Sequence, residues 1–246
     1  MLHHLFSTNK HGWSHWSFEQ YVLKTGQTVL ELGCGNGGTW AANVDRIPQG
    51  IEVTLSDISA GMLDAAKANT SALQNAQYRV IDAQEIPFAD ASFDVVIANH
   101  MLYHVPRVDK ALEEIARVLK PGGTLYATTI GNGNFNELAR ILEAFDSRID
   151  WAATMKAITD AFGLESGAAM LAQYFGGVET RRHADSLHIT EAQPLIDYVL
   201  SMTEIGNVTE LVRERSVAFA DYIEGLLKET GYIDIAKDAG MLIAGK

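Results

Sequence analysis

The sequence predicts an α/β protein built on a doubly wound, mostly parallel sheet. Apolar strand-like runs alternate with amphipathic helical segments up to about residue 130, which is the pattern of successive βαβ units. The run Val95–Ala98 contains no polar residue, as expected of a strand buried on both faces of a sheet. A turn with four glycines follows the first predicted strand, at a position where open α/β sheets bind ligands.

The period of the apolar residues divides the first half of the chain into strands and helices. The predicted strands are Thr28–Leu32, Ile51–Ser56, Gln77–Ile81, Val95–Ala98 and Thr124–Thr129. The predicted helices are Trp13–Lys24, Gly38–Val44, Ser59–Ala68 and Val108–Leu119. Ser59 is a favourable N-cap, and Pro121-Gly122-Gly123 is expected to stop the last of these helices before the fifth strand begins.

The pattern changes after residue 130. Helices are predicted over residues 134–175, with breaks at Gly163 and Gly167, and over 190–203 and 208–229. Short strands are predicted at Val178–His183, Tyr232–Ile235 and Met241–Ala244. These helices are too many for a bare sheet sandwich, so some are expected to be lid insertions. The predicted organisation is an N-terminal helical cap (1–27), a core (28–133), substrate-cap helices (134–230) and closing strands (231–246).

Composition restricts the partners and the compartment. The chain has 31 acidic and 19 basic residues and a formal net charge of −12, so it repels phosphate backbones and anionic lipids. Nucleic acids and membranes are therefore not expected partners. Cys34 is the single cysteine, which fits a reducing compartment. No apolar run approaches the about 18 residues of a spanning helix, and no signal peptide is visible, so a cytoplasmic location is expected.

The glycine turn fits two kinds of nucleotide-derived ligand. Gly33, Gly35 and Gly38 satisfy G-x-G-x-x-G, and Asp57 lies near the distance expected of a ribose-binding carboxylate, as in dinucleotide-binding folds. Gly33, Gly35 and Gly37 equally satisfy G-x-G-x-G. The glycines alone therefore leave a nicotinamide-dependent enzyme open.

Features beyond the turn separate these interpretations. Glu31 lies two residues before the first glycine, where dinucleotide folds usually carry an apolar residue. Asp82 begins the run Asp-Ala-Gln-Glu-Ile-Pro-Phe. The segments Phe-Asp-Val-Val-Ile-Ala-Asn-His (from residue 93) and Ala-Leu-Glu-Glu-Ile-Ala-Arg-Val-Leu-Lys-Pro-Gly-Gly-Thr-Leu (from residue 111) follow. With these motifs, residues 28–130 resemble the class I S-adenosylmethionine (SAM)-dependent methyltransferases of type 11/25, and are similar to ubiquinone and menaquinone biosynthesis methyltransferases.

The resemblance implies a Rossmann-like sheet of seven strands with the last one antiparallel. It implies SAM as cofactor and S-adenosylhomocysteine (SAH) as product. The expected reaction is methyl transfer to a small-molecule acceptor by in-line displacement, catalysed by a monomer or homodimer.

The resemblance also implies cofactor contacts along the carboxyl edge of the sheet. The residues concerned are Glu31, Gly33, Cys34, Gly35, Gly37, Asp57, Ile58, Met62, Asp82, Ala83, Gln84, Asn99 and His100. Glu31 is expected beside the methionine ammonium, directly or through water; the other interpretation is that it only organises the loop. Asp57 is expected to accept hydrogen bonds from both ribose hydroxyls, because a carboxylate offers two acceptors to a cis-diol.

The adenine and methionine ends have their own expected partners. Ile58 and Met62 are expected to pack on the adenine ring. Asp82 is expected to accept from the adenine amino group, and the amide of Ala83 to donate to a ring nitrogen. Asn99 is expected to touch the methionine end or the substrate.

His100 and His104 are the candidate catalytic residues. A general base is needed only where the acceptor is an alcohol, a phenol, an acidic carbon or a protonated amine. The two histidines follow the fourth strand and would share a face if that segment were helical. The segment around His104 resembles one that is common in the family whatever the substrate, which favours a structural role for it.

The N-terminal histidines are not expected to bind a metal, because the spacing of His3, His4, His11 and His15 lacks a supporting cysteine or carboxylate. Trp13, Trp16 and Tyr21 are interpreted as a lid whose rings attract a sulfonium, or as plain helix packing. Trp40 is expected to pack in the core or beside the cofactor, and Cys34 to pack rather than react.

Two other functions fit parts of the sequence. The interpretation as an NAD(P)-dependent oxidoreductase rests only on the spacing of Gly33, Gly35 and Gly38 and on Asp57. A SAM-binding protein without methyl transfer shares every cofactor motif. Methylation of macromolecules is disfavoured, because Asn99-His100-Met101-Leu102 is not the Asn/Asp-Pro-Pro-Tyr motif of amino-methylating enzymes.

Overall fold

The computed structural model describes residues 2–202 and 206–246. The strands are β1 Thr28–Leu32, β2 Glu52–Asp57, β3 Ala76–Val80, β4 Phe93–Asn99, β5 Leu119–Ile130, β6 Gly177–Ile189 and β7 Ile233–Gly245. They form one sheet in the order β3-β2-β1-β4-β5-β7-β6. The pairs formed among β1 to β5 are parallel, and β7 runs antiparallel to β5. The predicted seven-stranded, mostly parallel sheet is confirmed.

Helices connect these strands. They are α1 Leu2–Phe6, α2 Trp13–Gln20, α3 Gly38–Ala41, α4 Ala60–Asn69, α5 Val108–Val118, α6 Asn136–Phe145, α7 Trp151–Phe162, α8 Leu164–Leu171, α9 Ala192–Ser201, α10 Val208–Glu214 and α11 Ser216–Thr230. Ser59 caps α4 as predicted, since its hydroxyl accepts from the amide of Met62. None of the described helices is long and apolar enough to cross a bilayer.

Contacts divide the chain into two units. The first comprises Met1–Gly12, Asn132–Ile158 and Ala184–Asp238, and the second comprises Trp13–Gly131, Thr159–His183 and Ala239–Lys246. These divisions differ from the predicted boundaries at residues 27, 133 and 230. Because the second unit contains the glycine turn and β1 to β5, it contains the predicted cofactor residues.

The core of the second unit explains the apolar run of β4. Val96 and Ala98 belong to one buried cluster, and Val95 and Ile97 belong to another. Successive side chains of a strand point to opposite faces, so the two clusters cover the two faces of the sheet. An uninterrupted apolar sequence is the expected result.

Glycine and proline positions account for two wrong boundaries. Pro121-Gly122-Gly123 does not precede the fifth strand but lies within β5, where the Gly122 amide donates to the carbonyl of Lys246 (2.9 Å). The two predicted closing strands are the single strand β7, because Gly240 allows the carbonyl of Arg181 to approach its α-carbon closely. Gly163 does separate α7 from α8, as predicted.

Other boundaries differ because tertiary contacts set them. The strand predicted to end at His183 continues to Ile189. The helix predicted over 208–229 is two helices, α10 and α11, separated at Arg215, whose guanidinium donates to Asp146 (3.2 Å). The predicted helix Trp13–Lys24 ends at Gln20, and the helix predicted over 38–44 is the short α3 followed by a 3-10 turn at Val44–Arg46. The predicted helix end at residue 203 lies outside the described residues.

Gly167 lies inside α8 instead of ending a helix. A Cβ there would lie 2.9 Å from Cδ1 of Leu242 and 3.1 Å from the ring of Phe162. Gly167→Ala is therefore expected to destabilise the protein by about 1–3 kcal/mol through overpacking, although alanine favours helices. The measurement is urea-induced unfolding.

Gly225 is the matched control within α11. No atom lies within 4 Å of a Cβ built there. Gly225→Ala is expected to stabilise the protein by about 0.5–1 kcal/mol, since only helix propensity changes. Equal effects of the two substitutions would contradict the packing explanation.

Candidate active site

The glycine turn after β1 needs backbone conformations that other residues rarely adopt. Gly33, Gly35 and Gly37 have φ values of +65°, +54° and +72°. A Cβ on Gly33 would lie 2.7 Å from Cβ of Met101, and a Cβ on Gly37 would lie 2.7 Å from Cγ2 of Thr70. A Cβ on Gly35 would meet no atom within 4 Å. The turn is therefore packed from behind at Gly33 and Gly37 and open at Gly35.

Asp57, at the end of β2, holds this turn in place. Its Oδ2 accepts from the amide of Gly35 (3.0 Å) and its Oδ1 from the amide of Ser59 (2.9 Å). Two large apolar side chains nearby in the sequence are exposed, Ile58 at 72% and Met62 at 49%. Exposed apolar surface beside a carboxylate suits a ligand that has both a flat apolar ring and hydroxyl groups.

Asp82 follows β3 in the same way. Its Oδ1 accepts from the backbone amide of Gln84 (2.8 Å) and from the side-chain amide of that residue (3.0 Å). Asp82 is exposed, whereas Ala83 is buried. Because β2 and β3 are parallel neighbours, the carboxylates that follow them are at the same edge of the sheet.

A buried hydrogen-bond network lies beneath the glycine turn. Glu31 is 2% exposed; its Oε2 accepts from the indole Nε1 of Trp40 (2.6 Å) and its Oε1 from Nδ2 of Asn99 (2.8 Å). The hydroxyl of Tyr21 lies 2.8 Å from Nδ2 and 3.1 Å from Oδ1 of Asn99. The hydroxyl of Thr128 donates to the same Oδ1 (3.2 Å). The network therefore joins β1, α3, β4, β5 and the segment after α2.

Burial controls the ionisation of this region. Removal from water raises the pKa of Glu31 to about 7, although the hydrogen bonds from Trp40 and Asn99 lower it. Burial, with the nearby carboxylates of Glu31 and Asp57, also raises the pKa of the Cys34 thiol. A thiol that resists ionisation is a poor nucleophile, in agreement with a packing role for Cys34.

His100 directly follows the network in the chain. Its φ is +47°, and its amide donates to the carbonyl (3.0 Å) and the hydroxyl (3.1 Å) of Thr128. The ring of Trp13 lies 4.9 Å from its imidazole and 5.3 Å from the imidazole of His183. His104 is exposed in a 3-10 turn. The two histidines would share a face only if the segment were helical, and that condition is not met: the backbone of His100 is left-handed and lies outside the turn that contains His104.

The match to a known family follows this geometry. Residues 30–127 match the family described as a methyltransferase domain. Residues 30–127 form a class I methyltransferase domain. The match decides between the two interpretations of the glycine spacing, and it does not favour the nicotinamide-dependent oxidoreductase.

Curated relatives resemble this methyltransferase domain over part of their length. The ubiquinone/menaquinone biosynthesis C-methyltransferase UbiE of Vibrio vulnificus is 31% identical over 136 residues, which are 54% of this chain and 52% of that enzyme. The chain spans about half or less of the length of the curated relatives that it matches first.

Solved structures share the fold over nearly the whole chain. The YcgJ protein of Bacillus subtilis has a TM-score of 0.60 at 16% identity and covers 95% of this chain and 97% of its own. A phosphoethanolamine N-methyltransferase of Haemonchus contortus, solved with SAM, has a TM-score of 0.57 at 22% identity and covers 96% of this chain and 53% of its own. At these identities the likeness shows the fold alone.

Some residues in and around the candidate site had no signal in the sequence. Thr128 pairs with Asn99 across β4 and β5, which only a known strand register reveals. Tyr21 stood out as an aromatic residue, but nothing indicated its contact with Asn99. His183 closed a predicted strand without any motif. Trp40 was expected to pack; its hydrogen bond to Glu31 was not.

Proposed function

We propose that this chain transfers a methyl group from SAM to a small-molecule acceptor. The observation that carries the proposal is Asp57, fixed by the amides of Gly35 and Ser59, beside the exposed side chains of Ile58 and Met62. This combination suits a nucleoside: the carboxylate binds the ribose diol and the apolar groups cover the base. The SAM bound to a solved protein of the same fold supports the choice of cofactor.

Each part of the edge has a proposed task. Gly33, Gly35 and Gly37 let the protein backbone turn tightly and approach the ligand closely. Asp82 and the Ala83 amide bind the adenine edge. Glu31 is buried and has no lysine, arginine or histidine partner among the described residues. Its carboxylate would therefore attract the ammonium group of the cofactor.

The residues accelerate the reaction mainly by position. Bound SAM would supply an electrophilic methyl group to the acceptor's lone pair, and SAH would be left as the product. Holding the acceptor in line with the carbon–sulfur bond and excluding water provide most of the rate. His100 is placed after β4 beside Trp13, where it would take the proton of a hydroxyl, enol or protonated-amine acceptor.

Isothermal titration calorimetry with SAM and SAH tests the cofactor. Both ligands are expected to bind. Incubation of the protein with SAM and small-molecule extracts is then expected to produce SAH. Asp57→Ala is expected to weaken SAH binding by about 1–3 kcal/mol, because a charged acceptor is lost. Asp64→Ala, an exposed change on α4, is the control and should leave the affinity unchanged. Absence of binding by both ligands overturns the proposed function.

The acceptor and the compartment are part of the same proposal. An acidic chain suits a small molecule better than RNA or DNA, because it repels their phosphates. A single cysteine suits the reducing cytoplasm. We place the enzyme there as a monomer or homodimer.

A further inference from the structure

We propose that Tyr21 is a positioning residue that acts through Asn99 on Glu31 and thereby sets the affinity of the turn for a cationic ligand. The inference rests on the proposed function for the identity of that ligand. Nothing in the glycine motif or in the family match, which begins at residue 30, includes Tyr21.

Asn99 has no polar atom left unassigned within the network. Its two amide hydrogens go to Glu31 and Tyr21, and its oxygen accepts from Thr128 and lies 3.1 Å from the Tyr21 hydroxyl. An asparagine side chain can rotate and exchange its oxygen and nitrogen. Tyr21 and Thr128 oppose that exchange, and so keep the amide directed at Glu31.

The ring that carries the Tyr21 hydroxyl is buried and packed. The residue is 7% exposed, and its ring packs edge-on against Phe18 (5.7 Å) and Tyr126 (5.2 Å). Removal of the hydroxyl alone therefore leaves the packing of the ring unchanged. It frees Asn99 to rotate away from Glu31.

Glu31 is sensitive to that change because its charge is poorly compensated. Among the described residues, the titratable groups that act on it are Tyr21, Asp57 and Cys34, none of which is a cation. The hydrogen bond from Asn99 stabilises the carboxylate. Losing it favours the protonated acid, which does not attract the ammonium of SAM or SAH.

Tyr21→Phe tests the inference, first in the ligand-free chain. The pH dependence of urea unfolding, compared with that of Glu31→Gln, reports the titration of Glu31. In Tyr21→Phe, the pH midpoint of the Glu31 titration is expected to move upward by about half a pH unit or more, since a hydrogen bond to the charged carboxylate is lost. An unmoved midpoint overturns the inference, whatever the ligand.

The second readout is SAH affinity as a function of pH. Tyr21→Phe is expected to bind SAH about 3- to 10-fold more weakly near neutral pH, with recovery at higher pH. A loss that is equal at every pH would indicate a merely structural role and overturn the inference. If the unchanged chain binds neither SAM nor SAH, the proposed function fails while the unfolding experiment still decides on Tyr21.

Two further variants guard against misfolding. Tyr126→Phe removes a hydroxyl from the ring that packs against Tyr21, but that hydroxyl accepts from the amide of Val22 and is outside the network. This variant should leave the pH midpoint of the Glu31 titration unchanged. Thr128→Val removes the other donor to Asn99 and should shift the titration in the same direction as Tyr21→Phe. Opposite shifts would overturn the inference.

Discussion

Gly33→Ala is expected to destabilise the protein by about 2–5 kcal/mol, because one methyl group adds both backbone strain and overpacking. A left-handed backbone costs an alanine about 1–2 kcal/mol. The added Cβ would also lie 2.7 Å from Cβ and 2.9 Å from Cγ of Met101. Since Cβ is fixed to the backbone, Met101 cannot rotate away, and overpacking adds about 1–3 kcal/mol. Urea unfolding of the ligand-free chain measures the loss.

Gly35→Ala is the matched control in the same turn. Its φ of +54° carries a similar backbone cost, but no atom lies within 4 Å of the new Cβ. It is expected to lose only about 1–2 kcal/mol of stability while weakening SAH binding more than tenfold, because the methyl group fills the open side of the turn. Equal destabilisation by both alanines would contradict the packing seen behind Gly33.

Glu31→Gln is expected to become more stable than the unchanged chain as the pH rises. Burial raises the pKa of Glu31 in the folded state to about 7, above its ordinary value of 4.5. The stability that the protonated acid contributes is complete below pH 4.5 and is lost as the pH rises through 7. The glutamine does not titrate, so the difference in unfolding free energy should move in its favour by about 3 kcal/mol across this window.

Measurement of that difference needs ligand-free protein at several pH values. Glu52→Gln, an exposed change on β2, is the control and should track the unchanged chain. If Glu31 binds the cofactor's ammonium as proposed, the same Glu31→Gln protein should bind SAH weakly. A stability difference that does not vary between pH 4 and pH 8 would show that folding does not raise the pKa of Glu31.

Local patterns were sufficient for the parallel part of the sheet. β1 was predicted at its observed bounds because a short apolar run stands between a threonine and a glycine turn. Gly167 misled the prediction, since glycine marks both chain breaks and close packing, and only the packed partners, here Leu242 and Phe162, distinguish the two. The break at Arg215 has no local signal at all, because its partner Asp146 is distant in sequence.

In the candidate site, too, residues with a local signal were predictable and residues with distant partners were not. Asp57 and Asp82 were predictable because each ends a recognisable strand at the ligand-binding edge of the sheet. The partners of Glu31 were not, since Trp40 and Asn99 reach it from a helix and another strand. His100 was a candidate by position, but its left-handed backbone is set by the pairing of its amide with Thr128.

The two hydrogen bonds that Asp57 accepts have a consequence for ligand recognition. With both oxygens held by the amides of Gly35 and Ser59, the side chain is restricted to one rotamer before any ligand arrives. Each oxygen retains a lone pair for a hydroxyl group. The proposed ribose diol would therefore bind without the conformational entropy loss, about 0.5–1.5 kcal/mol, that a freely rotating side chain would incur. The acceptors at this position are therefore ordered before a ligand binds, and their fixed spacing would select a vicinal diol if Asp57 binds the ribose as proposed.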